Sequence, residues 1–370
     1  MQIVLVGLGH AHLHVMEHAA QLRDAGCTVT LVDDGAFWYS SIAAGMLAGA
    51  YEPADDVIEA APFARGCGVG YVEGRAGSLD REGGRLTLED GRAVPFDLVS
   101  FNVGSRVEPP FPVAEGVSSF GAKPIRGLLD LRERLRDAFA RGDVPRVVTV
   151  GGNHSGCELT CNLAAFARAQ GARIDLVLMH GGRELIGSEP AGARRRMREV
   201  LEGYGVSVRS NIRVVRATED LVHPEDGRPV PFDHLLVATG LTAAPVMARL
   251  GLPHSPRGLR VLPSLHAPDD RRVFAIGDCA DIRGPGVPAR GLPKVGVFGV
   301  RAAPVLARNL LARAAGEPLE RYRPQRVWFA AQNLGDGTGL ATWGPLWWRG
   351  RSALALKDWN DRRFMDRYRA

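Results

Sequence analysis

The sequence holds two glycine turns of the kind that cradle a pyrophosphate. The first, Gly7-Leu8-Gly9, follows the apolar run Gln2-Ile3-Val4-Leu5-Val6 and opens a stretch of helical character reaching Ala25. Gly7 permits the tight bend, and Gly9 removes a side chain that would keep a phosphate from the helix N-terminus, where His10 and Ala11 follow. A second apolar strand, Thr28 to Val32, leads into Asp33, a carboxylate placed to accept hydrogen bonds from ribose hydroxyls. His12 stands where the G-x-G-x-x-G pattern has its third glycine, so the turn alone is a weak signal. Asp33, at the right spacing, restores it.

The second turn, Gly151-Gly152-Asn153-His154-Ser155-Gly156, follows Arg146-Val-Val-Thr-Val150 and precedes a helix to about Gln170. Gly151, Gly152 and Gly156 fit the pattern, but Asn153 puts a side chain where glycine lets a pyrophosphate approach, an expected obstruction. The next strand, Ile174 to Leu178, runs into Met179-His180 with no ribose carboxylate, while Arg183 suits a 2′-phosphate. NADPH, NADH and no nucleotide are all open readings of this turn.

The elements that must position these turns occur twice. Asp90-Gly-Arg-Ala-Val-Pro-Phe-Asp97 recurs as Asp226-Gly-Arg-Pro-Val-Pro-Phe-Asp233, each followed by an apolar strand and a glycine, Gly104 and Gly240. The fold class expected is α/β: two Rossmann-like domains, each with a β-meander (around Tyr71 to Leu88 and Val206 to Thr218), plus a C-terminal extension. Residues 1–118 and 252–320 would form a discontinuous nucleotide-binding domain (FAD-binding, on the resemblance given next), 119–251 an NAD(P)-binding-like domain, and 321–370 an aromatic and basic extension.

Val273-Phe-Ala-Ile-Gly277-Asp278-Cys279-Ala280 resembles the second FAD signature of the pyridine nucleotide-disulfide oxidoreductase superfamily, and Val237-Ala-Thr-Gly240 resembles its segment joining the two domains. The resemblance implies FAD as cofactor, with Gly277 in the turn and Asp278 on the ribityl chain. A narrower likeness rests on Gly9-His10-Ala11-His12, Tyr39-Ser40 through Tyr51, Asn102-Val103-Gly104-Ser105, Pro293-Lys294-Val295-Gly296 and Lys357-Asp358-Trp359 through Met365. These resemble type II NADH dehydrogenase-like flavoproteins associated with, or fused to, selenophosphate synthase. That likeness adds Ser40, Ala76, Asn102, Gly104, Lys294 and Val295 to the expected cofactor contacts. It sets Lys294 beside the isoalloxazine, where an ammonium would stabilise reduced flavin, while the superfamily pattern implies Glu158 near the nicotinamide. The plainer readings are a surface lysine and a first-turn acid favoured by the helix dipole.

Disulfide reductases of that superfamily relay electrons through a cysteine pair, and the matching segment here, Ser40-Ser41-Ile42-Ala43-Ala44, has none. The five cysteines are scattered and odd in number, which argues against a disulfide framework, and Cys157 and Cys161 read as small buried hydrophobes. His10, His14 and His18 recur at helical spacing without an accompanying ligand cluster, so no metal is expected. No apolar stretch approaches the roughly 20 residues of a spanning helix and no secretory signal is evident, so a cytoplasmic location is expected. Much of the net charge of +5 comes from a basic tail without a base-reading motif, which speaks against nucleic acid as a partner. Five of the six tryptophans lie from Trp328 onward. Trp347-Trp348-Arg349 is expected as an anchor at the inner membrane face, with packing over the flavin or against a second subunit as alternatives.

The activity expected is electron transfer from NAD(P)H through FAD to a quinone-like acceptor, both small molecules, without a redox disulfide. The alternatives are a flavoenzyme with a degenerate nicotinamide site that oxidises a sulfur or selenium compound, and a flavin-binding electron-transfer module with a protein partner.

Overall fold

The computed structural model describes Met1 to Arg369. Gln2–Val6 lies at the heart of a six-stranded sheet ordered 266–267, 270–275, 98–101, 2–6, 28–33, 70–73, in which only the first strand is antiparallel. Ile3, Leu5, Leu31, Val99 and Phe101 are fully buried, as expected of parallel strands covered on both faces. A second, all-parallel sheet runs 119–121, 234–237, 146–150, 175–179, 207–209.

The sequence repeat has a structural counterpart. Asp97 Oδ2 accepts the backbone N–H of Gln2 at 2.6 Å, and Asp233 Oδ2 accepts that of Arg146 at the same distance. The final aspartate of each repeat thus pins the start of its own central strand. The two crossings between the halves run side by side as an antiparallel ribbon, Ser105–Val107 against Leu241–Ala243.

Two expected elements shift. Gly70–Glu73 and Ser207–Arg209 are parallel edge strands of the main sheets, so the meanders begin later, as 76–80, 85–88 and 93–95 and as 214–217, 221–224 and 230–231. Short edge strands and meander strands share one apolar alternation, which is why the sequence merges them. The helical stretch to Ala25 divides at His18, whose φ of −103° and ψ of 13° break it into His10–Glu17 and Ala19–Asp24.

The extension is a three-stranded antiparallel sheet (Phe329–Asn333, Gly339–Trp343, Leu346–Gly350) and the helix Arg351–Arg369. That helix turns Ala353, Lys357, Asp361, Met365 and Tyr368 inward, at spacings of four and three that make one face. Lys357 Nζ and Asp361 Oδ2 are 2.6 Å apart with side chains 6% and 3% exposed. Tyr39 OH and Ser41 Oγ donate to Asp361 Oδ1 at 2.9 and 2.8 Å, and Lys357 donates to the Ser41 carbonyl at 2.6 Å. The expected anchor is only partly exposed, with Trp347 and Trp348 half-buried and Arg349 outward. Trp347 packs on Gly192, Trp348 faces Phe329, and Arg349 pairs with Asp336, because the Trp-Trp pair belongs to a strand covered by neighbouring elements. The extension's most outward apolar residues are Trp343, Leu346 and Trp359. No helix among the described residues is long and apolar enough to cross a membrane.

Removing one partner of the buried pair strands the other. Asp361→Ala should cost about 3–5 kcal/mol in urea unfolding, against about 1 kcal/mol for Tyr39→Phe. Asp56 has neither carboxylate oxygen hydrogen-bonded, and burial pushes its carboxyl up to about 8. The folded chain therefore keeps a proton that the unfolded chain has released, and this group's contribution to stability falls as pH rises from the ordinary carboxyl value of 3.8 toward 8. Asp56→Asn should leave the melting temperature unchanged near the low end of that range and raise it progressively toward the high end; a pH-independent offset would refute the assignment.

Candidate functional site

The first turn is organised around one carboxamide. Asn102, at the end of strand 98–101, accepts the N–H groups of Ala11 and His12 through Oδ1 at 3.0 and 3.3 Å and donates through Nδ2 to the Ile276 carbonyl at 3.0 Å. It reaches the helix because Gly9 has no side chain: a Cβ there would fall on Asn102 Oδ1. Gly7, at φ +86°, lies against the Asn102 carbonyl, and a Cβ on Gly277 would sit 2.8 Å from Nδ2. His12 fills the space of the missing third glycine with a purpose of its own. Its Nδ1–H donates to the Gly7 carbonyl at 2.6 Å and its Nε2 accepts from Ser100 Oγ at 2.9 Å. Burial lowers its pKa to about 4, so the ring is neutral at physiological pH.

Asp33 Oδ2 accepts the Leu8 N–H at 2.7 Å and Oδ1 the Gly35 N–H at 2.9 Å. Burial raises its carboxyl, and these two N–H groups oppose that. Among the described residues the backbone N–H groups of Gly9 and His10 have no partner. An open turn with two free donors, a carboxylate at the next strand end and a second carboxylate, Asp278, across the sheet fit an extended dinucleotide such as FAD.

Asp278 Oδ2 accepts from Lys123 Nζ at 2.7 Å and Ser105 Oγ at 2.8 Å. Burial pushes this carboxyl up, but the Lys123 ammonium and these hydrogen bonds outweigh it and hold it below its usual value. Lys294 Nζ donates to the carbonyls of Asp278 and Ala280 at 2.9 and 2.6 Å, and burial lowers the ammonium to about 8. Beside it Val295 is an exposed apolar side chain at the start of helix Gly296–Ala315. The ring of His10 lies among Phe37, Phe364 and Tyr39 at 4.8, 5.2 and 5.6 Å, and burial lowers its pKa to about 4.

Gly7, Gly9, His10, Ala11, Asp33, Asn102, Gly277, Asp278, Lys294 and Val295 therefore converge. Ala76 begins its strand just past Gly74, whose N–H bonds the Asp33 carbonyl, and so lies near Asp33. Ser40 is exposed, and its neighbours Tyr39 and Ser41 make the contacts to the C-terminal helix. Gly104 faces open space, whereas Gly240 abuts the Glu108 backbone and serves the ribbon. Lys123 and Ser105 escaped the sequence reading as partners of Asp278. Ser105 ends a quoted motif, but nothing in the sequence marks Lys123.

At the second turn the expected obstruction is absent. Asn153 caps its helix by accepting the Gly156 N–H at 2.9 Å, and its amide donates to the Ala238 carbonyl at 2.6 Å. Its side chain is committed to the turn itself, leaving the N–H groups of Gly152, Asn153 and His154 without partners among the described residues. Gly151, Gly152, Asn153 and Gly156 thus form an intact turn. His180, bonded to Ser210, packs against Gly152 where a ribose carboxylate would stand, and Arg183 is exposed with no ion-pair partner among the described residues. Glu158 accepts the Asn333 N–H at 2.7 Å; burial raises its carboxyl, opposed by Lys357. All five cysteines are free. His14, Glu17 and His18 offer ligand atoms within 4.8 Å of one another, so a carboxylate does accompany two of the histidines, contrary to expectation, with Glu17 held by Arg367 through bonds of 2.8 and 2.6 Å.

Two dinucleotide turns on separate parallel sheets, joined by a ribbon and spanned by the Gly-Asp segment, define a flavoprotein oxidoreductase of two-nucleotide type. The chain belongs to the pyridine nucleotide-disulphide oxidoreductase family, whose model matches residues 1–302. FAD and NAD(P)H are the cofactors of that family, and the chain is an FAD-dependent oxidoreductase. It is 27% identical, over 97% of its length and 89% of the relative's, to the nitric oxide reductase FlRd-NAD(+) reductase of Pectobacterium atrosepticum. Its fold is similar to that of the sulfide:quinone oxidoreductase of Aquifex aeolicus, with a TM-score of 0.85 and 16% identity over 100% of this chain and 91% of that one. NDH2 of Plasmodium falciparum, solved in complex with NADH, is similar with a TM-score of 0.82 and 13% identity over 100% and 97% of the two chains.

Asn102→Ala removes the cap of the first helix and the tie to the Ile276 carbonyl together. It should cost about 1–2 kcal/mol in stability and lower the FAD retained through gel filtration, whereas Ser40→Ala should change neither.

Proposed function

We propose that the protein oxidises NAD(P)H at the second turn and passes two electrons through FAD directly to a quinone-like acceptor. The balance is NAD(P)H + H⁺ + quinone → NAD(P)⁺ + quinol. Bound FAD would supply the two-electron chemistry that couples donor to acceptor. What this chain contributes is position and charge. The first turn offers Gly9 and His10 N–H to a pyrophosphate and Asp33 to a ribose, and Asp278, held ionised by Lys123, is placed for the ribityl hydroxyls. Lys294 is a cation that stabilises negative charge developing on its side of the cleft.

The observation that carries the direct route is the state of the thiols. No cysteine is paired, and burial holds Cys157 and Cys161 well above the ordinary thiol range and Cys279 up to about 11. Neutral thiols buried in a helix and behind a strand are poor nucleophiles and poor relays. The degenerate-site alternative rests on Asn153 as an obstruction and on the family likeness; the tie of the Asn153 amide into the turn weighs against the first of these grounds. His180 in place of a ribose carboxylate and the unpaired Arg183 favour NADPH over NADH.

Anaerobic mixing of the FAD-loaded protein with NADPH, NADH and sulfide separately tests this reading. Bleaching by a nicotinamide, followed by reoxidation with a quinone, is expected; bleaching by sulfide alone would overturn it. Arg183→Gln should raise KM for NADPH about tenfold and leave that for NADH unchanged.

A further inference from the structure

A cavity of about 1040 Å³ opens on the outer side of the first helix, bounded by helix Gly296–Ala315, the segment 319–325 and the end of the C-terminal helix. Pockets that hold small molecules usually span about 300–1,000 Å³. Its inner end is aromatic: His10, Phe364 and Tyr368 line it, with Phe364 and Tyr368 rings 5.0 Å apart. His10 directly follows Gly9, so this end stands one side chain from the cofactor turn.

The charges lining the cavity do not cancel. Glu320, its one carboxylate, is engaged by Arg308 through bonds of 2.6 and 3.1 Å, and Arg367 is engaged by Glu17. Arg301, Arg321 and Arg323 have no carboxylate partner among the described residues. Three guanidinium groups around one concavity repel each other and present forked donors shaped for a carboxylate or sulfonate. An aromatic end takes a flat ring, and the arginine rim takes its charge.

We infer that this cavity binds a small aromatic anion, and that, given the quinone-reductase reading above, the acceptor it admits is a quinone bearing an acidic group. The acidic group is a spectator, since the ring takes up the same two electrons and two protons as a neutral quinone. The site selects by charge at its rim while the ring lies toward the cofactor turn.

Equilibrium dialysis of the FAD-loaded protein with anthraquinone-2-sulfonate and, separately, the uncharged 2-(hydroxymethyl)anthraquinone tests the cavity without requiring turnover. Wild-type protein should bind the sulfonate at least about tenfold more tightly, with the preference shrinking as salt rises. Combined Arg301→Gln, Arg321→Gln and Arg323→Gln should abolish the preference and leave binding of the uncharged compound unchanged. Combined Arg216→Gln, Arg228→Gln and Arg290→Gln, which removes the same charge elsewhere, should keep it. Failure of the wild type to bind the sulfonate, equal binding of the two compounds, or loss of the preference in both triple variants would overturn the inference. If the sulfonate binds as expected but neither quinone reoxidises the reduced protein, the acceptor reading fails while the cavity assignment stands.

Discussion

The carboxamide of Asn102 is the contact on which the first half of the molecule turns. It caps the helix at Ala11 and His12, holds the carbonyl of Ile276, and crowds three glycines at once. Gly7, Gly9 and Gly277 come from two motifs more than 250 residues apart, yet each meets the same asparagine. Their lack of a side chain is usually explained by the cofactor alone. Here the protein needs it before any cofactor arrives, because a Cβ at any of the three would strike Asn102. The turn and the Gly-Asp segment are held in one geometry by a residue whose amide oxygen grips one and whose amide nitrogen grips the other.

The second half solves the same problem with the parts exchanged. Asn102 and Ala238 occupy equivalent places, each donating its backbone N–H to the end of a central strand, at Val6 and Val150. Gly9 and Asn153 are likewise equivalent. In the first half the strand end supplies the amide and the turn supplies the room; in the second the turn supplies the amide and the strand end, an alanine, supplies the room. The oxygen caps a helix and the nitrogen grips a carbonyl in both. Duplicated halves can thus keep one hydrogen-bond pattern while trading the residues that make it.

This exchange shows where the sequence is legible and where it is not. The glycine turns, the duplicated Asp-Gly-Arg-x-Val-Pro-Phe-Asp segment and the apolar strands identify the two sheets because their signals are local and periodic. Asp97 and Asp233 could be matched by eye for the same reason. Asn153 read as an obstruction because the direction of a side chain depends on the Ala238 carbonyl, far along the chain, which no local rule supplies. Lys123 carries no motif and matters only because Asp278 lies across the cleft. Lys357 and Asp361 lie in a tail marked only by its basic charge, but four-residue spacing brings them together on the buried side, where Tyr39 and Ser41 complete the cluster. The meanders were displaced since short apolar strands have no sequence mark telling an edge strand of one sheet from the first strand of the next.

The C-terminal helix has a consequence for the order of events in folding. Tyr39 and Asp361 are 322 residues apart, and Ser41 and Lys357 are 316 apart. Contacts of such separation close late, because the intervening chain must first be organised. The strands and turns of both halves can be complete while the aromatic wall of Phe364 and Tyr39 is still open to solvent. The first turn is thus open to a dinucleotide until this helix lays Phe364 against His10 and Tyr39.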